Sequence, residues 1–456
     1  MGQARGAEPN QADRAGTYAI TDPWALIRSR RYWLLLLLSA VLGVVVSAAC
    51  WAFLEFTHWL QVWLYRELPT SVGFSSPPWW WPLPVLAVAG FVIASAVVWL
   101  PGNGGHEPSE GLRIAAPTTA ADMPGVVLAA VATVGLGLVL GPEAPLIALG
   151  TGLTMFLIGL PRRQLPDQAK LILTASAGFA ALATIFGSPV VGAVIIIEAA
   201  AIGGSTLPVI LLPGLLAAGT GSLMFVGIGS LTGLSTNAFA LPAITLPPYP
   251  TPQLTDFLWS VPLALLAAVV VFLVIRLAEL VRTLVARHRL LLTPVAALIV
   301  GLGAIAFHEV SGQPAEAVLF SGQEAITPLL EQAGTVSVGT LALLLLCKAV
   351  AWALSLGSAR GGPTFPAIFL GLVGGLLAGH LATTAQTAMI GALVGASVVA
   401  VLRLPLSSIV IALLLTRAGA GAAPLIILSV VVAYIATLLL TARRAASAPR
   451  PSSETG

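Results

Sequence analysis

The sequence predicts an all-α, polytopic membrane protein, an inverted repeat of two halves with broken helices meeting at the membrane midplane. Three observations predict it. The 456 residues are 57% hydrophobic and only 9% charged, with a mean hydropathy of +0.98, whereas soluble domains carry about 25% charged residues. Apolar stretches are broken in both halves by Gly- and Pro-rich turns in the same order. Pro145 and Pro366 lie 221 residues apart, Pro189 and Pro405 216 apart, and such a repeat of interrupted helices points to a transporter or channel. Finally, Glu143 stands alone between two long uncharged runs, within Gly141-Pro142-Glu143-Ala144-Pro145.

In chain order, residues 1–31 form a polar tail ending in Arg28, Arg30 and Arg31. By the positive-inside rule these hold the N-terminus in the cytoplasm. The first apolar segment, Tyr32 to about Leu64, exceeds the ~20 residues of a straight span, so it is tilted or partly interfacial. Trp79, Trp80 and Trp81 form an aromatic belt before Leu83–Leu100. Further runs are Met123–Leu140, Leu146–Leu160, Leu171–Thr184, Val190–Ile197 and Leu207–Val226, with Arg162 and Arg163 at a water-facing turn. Residues 227–255, rich in Pro, Thr and Ser, form the connector between halves at about 32–226 and 256–442. The second half carries Phe257–Val285, Leu291–Phe307, Val338–Leu356, Phe365–Leu376, Met389–Leu402, Leu404–Leu415 and Leu425–Leu440. Arg443 and Arg444 place residues 443–456 in the cytoplasm as well, and no regulatory domain is expected after them.

Several classes of function are disfavoured. The net charge is only +3, and the basic residues lie in short clusters, so no nucleic-acid partner is expected. Cys50 and Cys347 sit in apolar runs with no metal-site or disulfide spacing, and no cofactor or metal is expected. An intramembrane enzyme lacks support, since neither G-x-S-x-G nor H-E-x-x-H occurs.

Glu143 reads as the first residue of a helix that begins inside the membrane, with proline tolerated in its opening turn; the plainer reading is a glutamate in an interfacial loop. A helix N-terminus carries about half a positive charge and free N–H groups, which attract anions. Gly362-Pro363-Thr364-Phe365-Pro366 opens the matching helix of the second half. Two such termini facing each other make an anion site without a buried full positive charge.

With these pieces together, residues 32–442 resemble the CLC family of chloride channels and anion/proton exchangers, as a divergent bacterial-type member. The family's second motif, G(K/R)EGP, falls at Gly141-Pro142-Glu143-Ala144-Pro145, with the basic residue and second glycine replaced. Its first, GSGIP, falls at Gly104-Gly105-His106-Glu107-Pro108, followed by Glu110-Gly111-Leu112; Gly105 stands where the family has serine. Its third, GxFxP, falls at Gly362–Pro366, with Thr364 at the phenylalanine position. Phe186-Gly187-Ser188-Pro189 through Glu198, Lys348, and the tract ending at Pro405 also fit.

The resemblance implies a chloride or other small-anion transporter of the cell membrane, a homodimer in lipid with one pore per subunit. Glu143 is its gate and Gly105, Ala144, Thr364 and Phe365 its anion-binding positions. The pore motifs are marked by Gly104, Pro108, Gly141, Pro145, Gly362 and Pro366. No pore tyrosine is assigned, because Tyr434 lies too early. Where exchangers have an internal proton-entry glutamate, this chain has Ala199. That absence favours a passive gated chloride channel; the alternative is a proton-coupled chloride or anion antiporter on the same scaffold. Among the remaining charges, Glu198 is read as a helix-end or dimer-interface residue. His106 and Glu107 are read as a solvated loop pair that could touch permeating ions, and His58, His308 and Glu309 as membrane-edge residues. Arg403 is read as facing a cavity or snorkelling to an interface.

Overall fold

The computed structural model describes residues 27–108, 118–160, 165–201, 203–232, 246, 247, 249, 251–381 and 384–447. The expectations for Glu110-Gly111-Leu112, Arg162, Arg163, most of both tails and residues 233–245 of the connector lie outside them. Fifteen main helices are numbered here. The first half contains α1 (Arg30–Val62), α2 (Pro82–Trp99), α3 (Met123–Leu136), α4 (Glu143–Gly159), α5 (Asp167–Phe186), α6 (Pro189–Ala199) and α7 (Leu207–Thr232). The second contains α8 (Leu254–Val285), α9 (Arg289–Ser311), α10 (Gln323–Glu331), α11 (Val338–Ser358), α12 (Thr364–Leu381), α13 (Gln386–Leu402), α14 (Pro405–Thr416) and α15 (Ala423–Ser447). Helix α7 runs to Thr232, into the expected connector.

Nine helices among the described residues are long and apolar enough to cross a membrane. The first continues from α1 through a π turn at Trp63–Glu67 to Ser71. At 1.5 Å per residue α1 alone is about 50 Å long, which requires tilt in a ~30 Å hydrocarbon layer. Trp79 and Trp80 are exposed, while Trp81 is buried and donates from Nε1 to the Leu64 carbonyl at 2.8 Å.

Five apolar helices, α3, α4, α6, α13 and α14, have 11–17 residues. At 1.5 Å per residue each falls short of the hydrocarbon thickness. These are the broken helices. The run expected to Leu140 stops at Leu136, because Gly137 turns left-handed (φ 110°) and caps α3. Leu138–Pro142 then cross the interior as irregular chain, which a membrane tolerates only where protein covers it. Here Val139 N–H donates to the buried Ser355 hydroxyl at 3.0 Å. Gly141 and Gly362 exchange both backbone hydrogen bonds at 2.7 Å. The two repeats thus join directly at the turns that open α4 and α12.

Close helix approach rests on small residues. A Cβ on Gly90 of α2 would strike the Pro294 backbone of α9, and one on Gly371 or Gly375 of α12 the backbone of Val394 or Ile390 in α13. Helices α12 and α13 are almost wholly buried, whereas α8 presents Leu254, Leu258, Leu266, Leu273 and Leu280 outward. An apolar exterior around a packed centre suits a lipid solvent. Helix α10 was not anticipated; it is a short amphipathic segment without the length of a span.

Candidate functional site

Pro142 caps α4 and Glu143 is its first residue. The Glu143 side chain is fully buried and reaches across to the other half, where its Oε1 accepts the Thr364 N–H at 2.5 Å. The Thr364 hydroxyl and the Phe365 N–H also direct hydrogen-bonding groups at this carboxylate. Oε2 is buried with no hydrogen-bond partner among the described residues. A Cβ on Gly141 or on Gly362 would collide with the carboxylate, so both glycines are needed for it to sit between the two turns. Phe365, itself buried, stacks on Phe186 with centroids 5.5 Å apart and closes one side. The interfacial-loop reading of Glu143 is thereby excluded: the carboxylate sits on the N-terminus of α12, where helix partial charge favours an anion.

The prolines thin out the donors. Pro363 and Pro366 have no N–H, and neither has Pro145 in α4. What remains around the seat is the N–H of Glu143 itself, the N–H of Thr364 and of Phe365, and the Thr364 hydroxyl; the half-buried Ala144 follows Glu143 in α4.

The first motif forms a separate group. Gly104 and Gly105 both have positive φ (71° and 97°), which glycine adopts without the cost a side chain brings. A Cβ on Gly105 would meet Val126 of α3, and one on Gly104 would meet Val97, Ala129 and the Arg360 stem. Pro108 is buried and closes the described loop. Arg360, absent from the sequence-based candidates, links this loop to the third motif. Its Nε donates to the Asn103 carbonyl at 3.2 Å, and it lies two residues before Gly362. The signal was present: a charge in the tract that opens an intramembrane helix usually faces function.

Glu107 is not the solvated loop residue expected. Its carboxylate is shared by Arg282 (2.9 Å), Arg289 (3.3 Å) and Arg360 (3.5 Å). Burial pushes its carboxyl up, but Arg282, Arg360 and Arg289 together hold it below the usual carboxylate range. His58 pairs with Glu324 at 2.7 Å, and both line a cavity of about 400 Å³ that also meets Tyr65, Phe320 and Pro142, the residue before Glu143. The cavity wall at residues 317–320 is fixed by Lys348, whose buried Nζ donates to the carbonyls of Ala317 (3.2 Å), Leu319 (2.6 Å) and Phe320 (3.0 Å). The ammonium also lies 4.8 Å from the centre of the Phe369 ring.

Glu198 occupies a helix end, as expected, and its partners are now explicit. It caps α14 of the other half, accepting Leu406 N–H at 2.9 Å, Ser407 N–H at 2.7 Å and the Ser407 hydroxyl at 2.6 Å. Arg403 is exposed and follows α13 in a left-handed conformation, φ 58°. His308 bonds the Gln313 carbonyl at 2.8 Å at the end of α9.

Comparison with known proteins agrees with this architecture. The family model described as voltage gated chloride channel matches residues 110–438. Among curated proteins, "Putative ion-transport protein YfeO" of Salmonella newport (strain SL254) is 29% identical over 355 residues, covering 75% of this chain and 80% of the relative. Its counterpart in Salmonella choleraesuis (strain SC-B67) is 28% identical with the same coverage. Of solved structures, a slow cyanobacterial Cl⁻/H⁺ antiporter superposes with a TM-score of 0.71 at 19% identity, over 91% of this chain and 99% of the other. A CLC-type fluoride/proton antiporter gives 0.63 at 18% identity, over 88% and 94%. The broken helices, the paired glycine turns and the matched span together place this multi-pass membrane protein: the chain belongs to the voltage gated chloride channel, or CLC, family of anion transporters.

Proposed function

We propose that this protein exchanges chloride or a similar small anion for protons, with Glu143 as a gate that takes the anion's place. The observation that carries this reading is the buried Glu143 carboxylate seated on the Thr364 N–H at the start of α12. While ionised it imitates an anion; once protonated it loses the charge that holds it there, and the seat becomes free. Thr364, Phe365 and Ala144 then face the transported anion, with Gly141 and Gly362 leaving the room and Gly105 contributing only backbone. Pro145, Pro366, Gly104 and Pro108 shape the turns that present these groups.

Exchange displaces the channel as the preferred reading because two solved proteins of similar fold are named as anion/proton antiporters. One specific observation favours the channel: Ala199 cannot titrate, and Glu198 is engaged by three donors at the head of α14. On the exchange reading the inner proton path therefore runs through water instead of a carboxyl relay. We also take the protein to be a homodimer in the cell membrane, with both termini cytoplasmic by its flanking arginines.

The test is a chloride gradient imposed on proteoliposomes with voltage clamped by a potassium ionophore. Sustained uphill proton movement, lost in Glu143→Ala, is the expected result. Chloride flux with no proton movement would return the assignment to the passive channel.

A further inference from the structure

Between α8, α11, α12 and α13 lies a second cavity, of about 240 Å³, which anion transport does not use. Asp256 in the first turn of α8 accepts the Ala385 N–H at 3.0 Å, so the start of α8 and the end of α12 share one end of the molecule. From there the cavity follows α8 from Trp259 to Val271, about 18 Å at 1.5 Å per residue. Its lining residues Trp259, Leu266 and Leu381 are exposed on the apolar exterior. The cavity is therefore continuous with the surface that faces lipid. Leu370 of α12 and Ser397 of α13 form its inner end, each eleven residues from the outer end of its helix. Leu370 is in turn about 9 Å along α12 from Thr364, so an occupant touches the helix that presents the seat of Glu143.

Two observations say what fits. Apart from the Trp259 indole near the outer end, Ser397 is the one lining residue with a polar side chain among the described residues. It is 3% exposed, and its hydroxyl bonds no described residue, whereas Ser355, Ser358 and Ser408 return theirs to the carbonyl four residues back. A buried hydroxyl without a partner is costly. Water is a poor partner here, since a buried water needs about two to four polar neighbours and the inner end offers one. The second observation is size. At about 30 Å³ per water-sized group, 240 Å³ holds about eight heavy atoms, fewer than a drug-sized ligand, whose sites run to about 300–1,000 Å³.

We propose that this cavity binds a small lipid-soluble alcohol. Its hydroxyl pairs with Ser397, and its chain of about eight carbons lies between α8 and α12 toward Trp259. A bare lipid acyl chain would fill the same volume but leave Ser397 unpaired, so the alcohol is the better match. Binding there is independent of which ion the protein carries.

The experiment photolabels the full chain in phosphatidylcholine liposomes with a diazirine-bearing octanol and maps the adducts by mass spectrometry. Labelling of the cavity residues is expected to saturate. At equal mole fraction in the membrane, unlabelled 1-octanol should displace it about 2- to 10-fold better than n-octane, the margin of one hydrogen bond. Leu258 and Leu273, which face outward from α8 and do not line the cavity, serve as the bulk-lipid control and should not saturate. Ser397→Ala is expected to weaken octanol by the same factor and to erase its advantage over octane. A Cβ on Gly374 would sit in ordinary contact with the Leu393 and Leu345 side chains, at 3.5 and 3.9 Å, and these also line the cavity. Gly374→Leu therefore fills the space and should cut cavity labelling about tenfold or more while sparing Leu258. Labelling that does not saturate, or that neither variant changes, would overturn the proposal. Saturable labelling displaced equally by octane and octanol, and indifferent to Ser397→Ala, would overturn it too, giving the cavity to a hydrocarbon chain. Should Gly374→Leu not fold, Ser397→Ala and the octane comparison decide alone.

Discussion

Replacing Glu143 with glutamine is expected to open the anion path and to flatten the pH dependence of flux. Glutamine keeps the length of the side chain and can still accept the Thr364 N–H, so the fold has no cause to change. What it loses is the charge. A hydrogen bond to a charged group contributes about 1.5–3 kcal/mol and one between neutral groups about 0.5–1.5 kcal/mol, so losing the difference of about 1–1.5 kcal/mol should leave a neutral side chain about 5- to 13-fold less firmly in the seat. The sign with pH follows from the same contact: wild-type flux rises as falling pH neutralises the carboxylate, whereas the variant is already neutral. Chloride flux measured from pH 4 to pH 8 checks this. A folded Glu143→Gln protein that retained the wild-type pH profile would show that another group is the gate.

The second large effect is expected at Lys348. Its Nζ meets three backbone carbonyls, matching the three donors of an ammonium. Lys348→Met keeps most of the volume but leaves the carbonyls of Ala317, Leu319 and Phe320 unpaired in a buried setting. Each such group costs about 1–3 kcal/mol, so a loss on the order of 3 kcal/mol or more is expected. The wall of the Pro142 cavity should loosen with it, because Phe320 also donates its N–H to the Gly137 carbonyl at 3.0 Å and packs edge-on against Tyr65. Thermal unfolding in detergent, followed by size-exclusion chromatography, measures the loss. A variant that melted with the wild type would mean that water or another donor satisfies those carbonyls.

The spans and the site core were legible in the sequence for a simple reason. In a membrane, apolar length and interrupted helices leave a direct mark on composition, and a lone glutamate between prolines has few structural explanations. Glu143, named from its broken helix, and Thr364 and Phe365, named by likeness to a family motif, do lie together in the structure. The paired turn at Gly141 and Gly362 was not foreseen, because strand-like pairing of two short turns has no periodicity to read. Gly105 was placed by likeness to a motif; a side chain there would meet Val126, beside the group that Arg360 and Glu107 tie together. That group escaped notice because its members come from three distant stretches, and a charge is judged exposed until its partners are known. The partner of His58 was hidden for the same reason: only the fold brings Glu324 opposite it. The end of α3 was misjudged because Leu138, Val139 and Leu140 are as apolar as the helix before them, and burial in protein lets that chain leave helical geometry at Gly137.

The most direct test of the central claim is to locate a bromide ion crystallographically in Glu143→Gln. If the carboxylate of the wild type stands in for an anion, the anomalous signal should appear between Gly141 and Gly362, at the N–H of Thr364, and be missing there from the wild type at neutral pH. A glutamine still seated on Thr364, with no bromide at that position at saturating concentration, would contradict it.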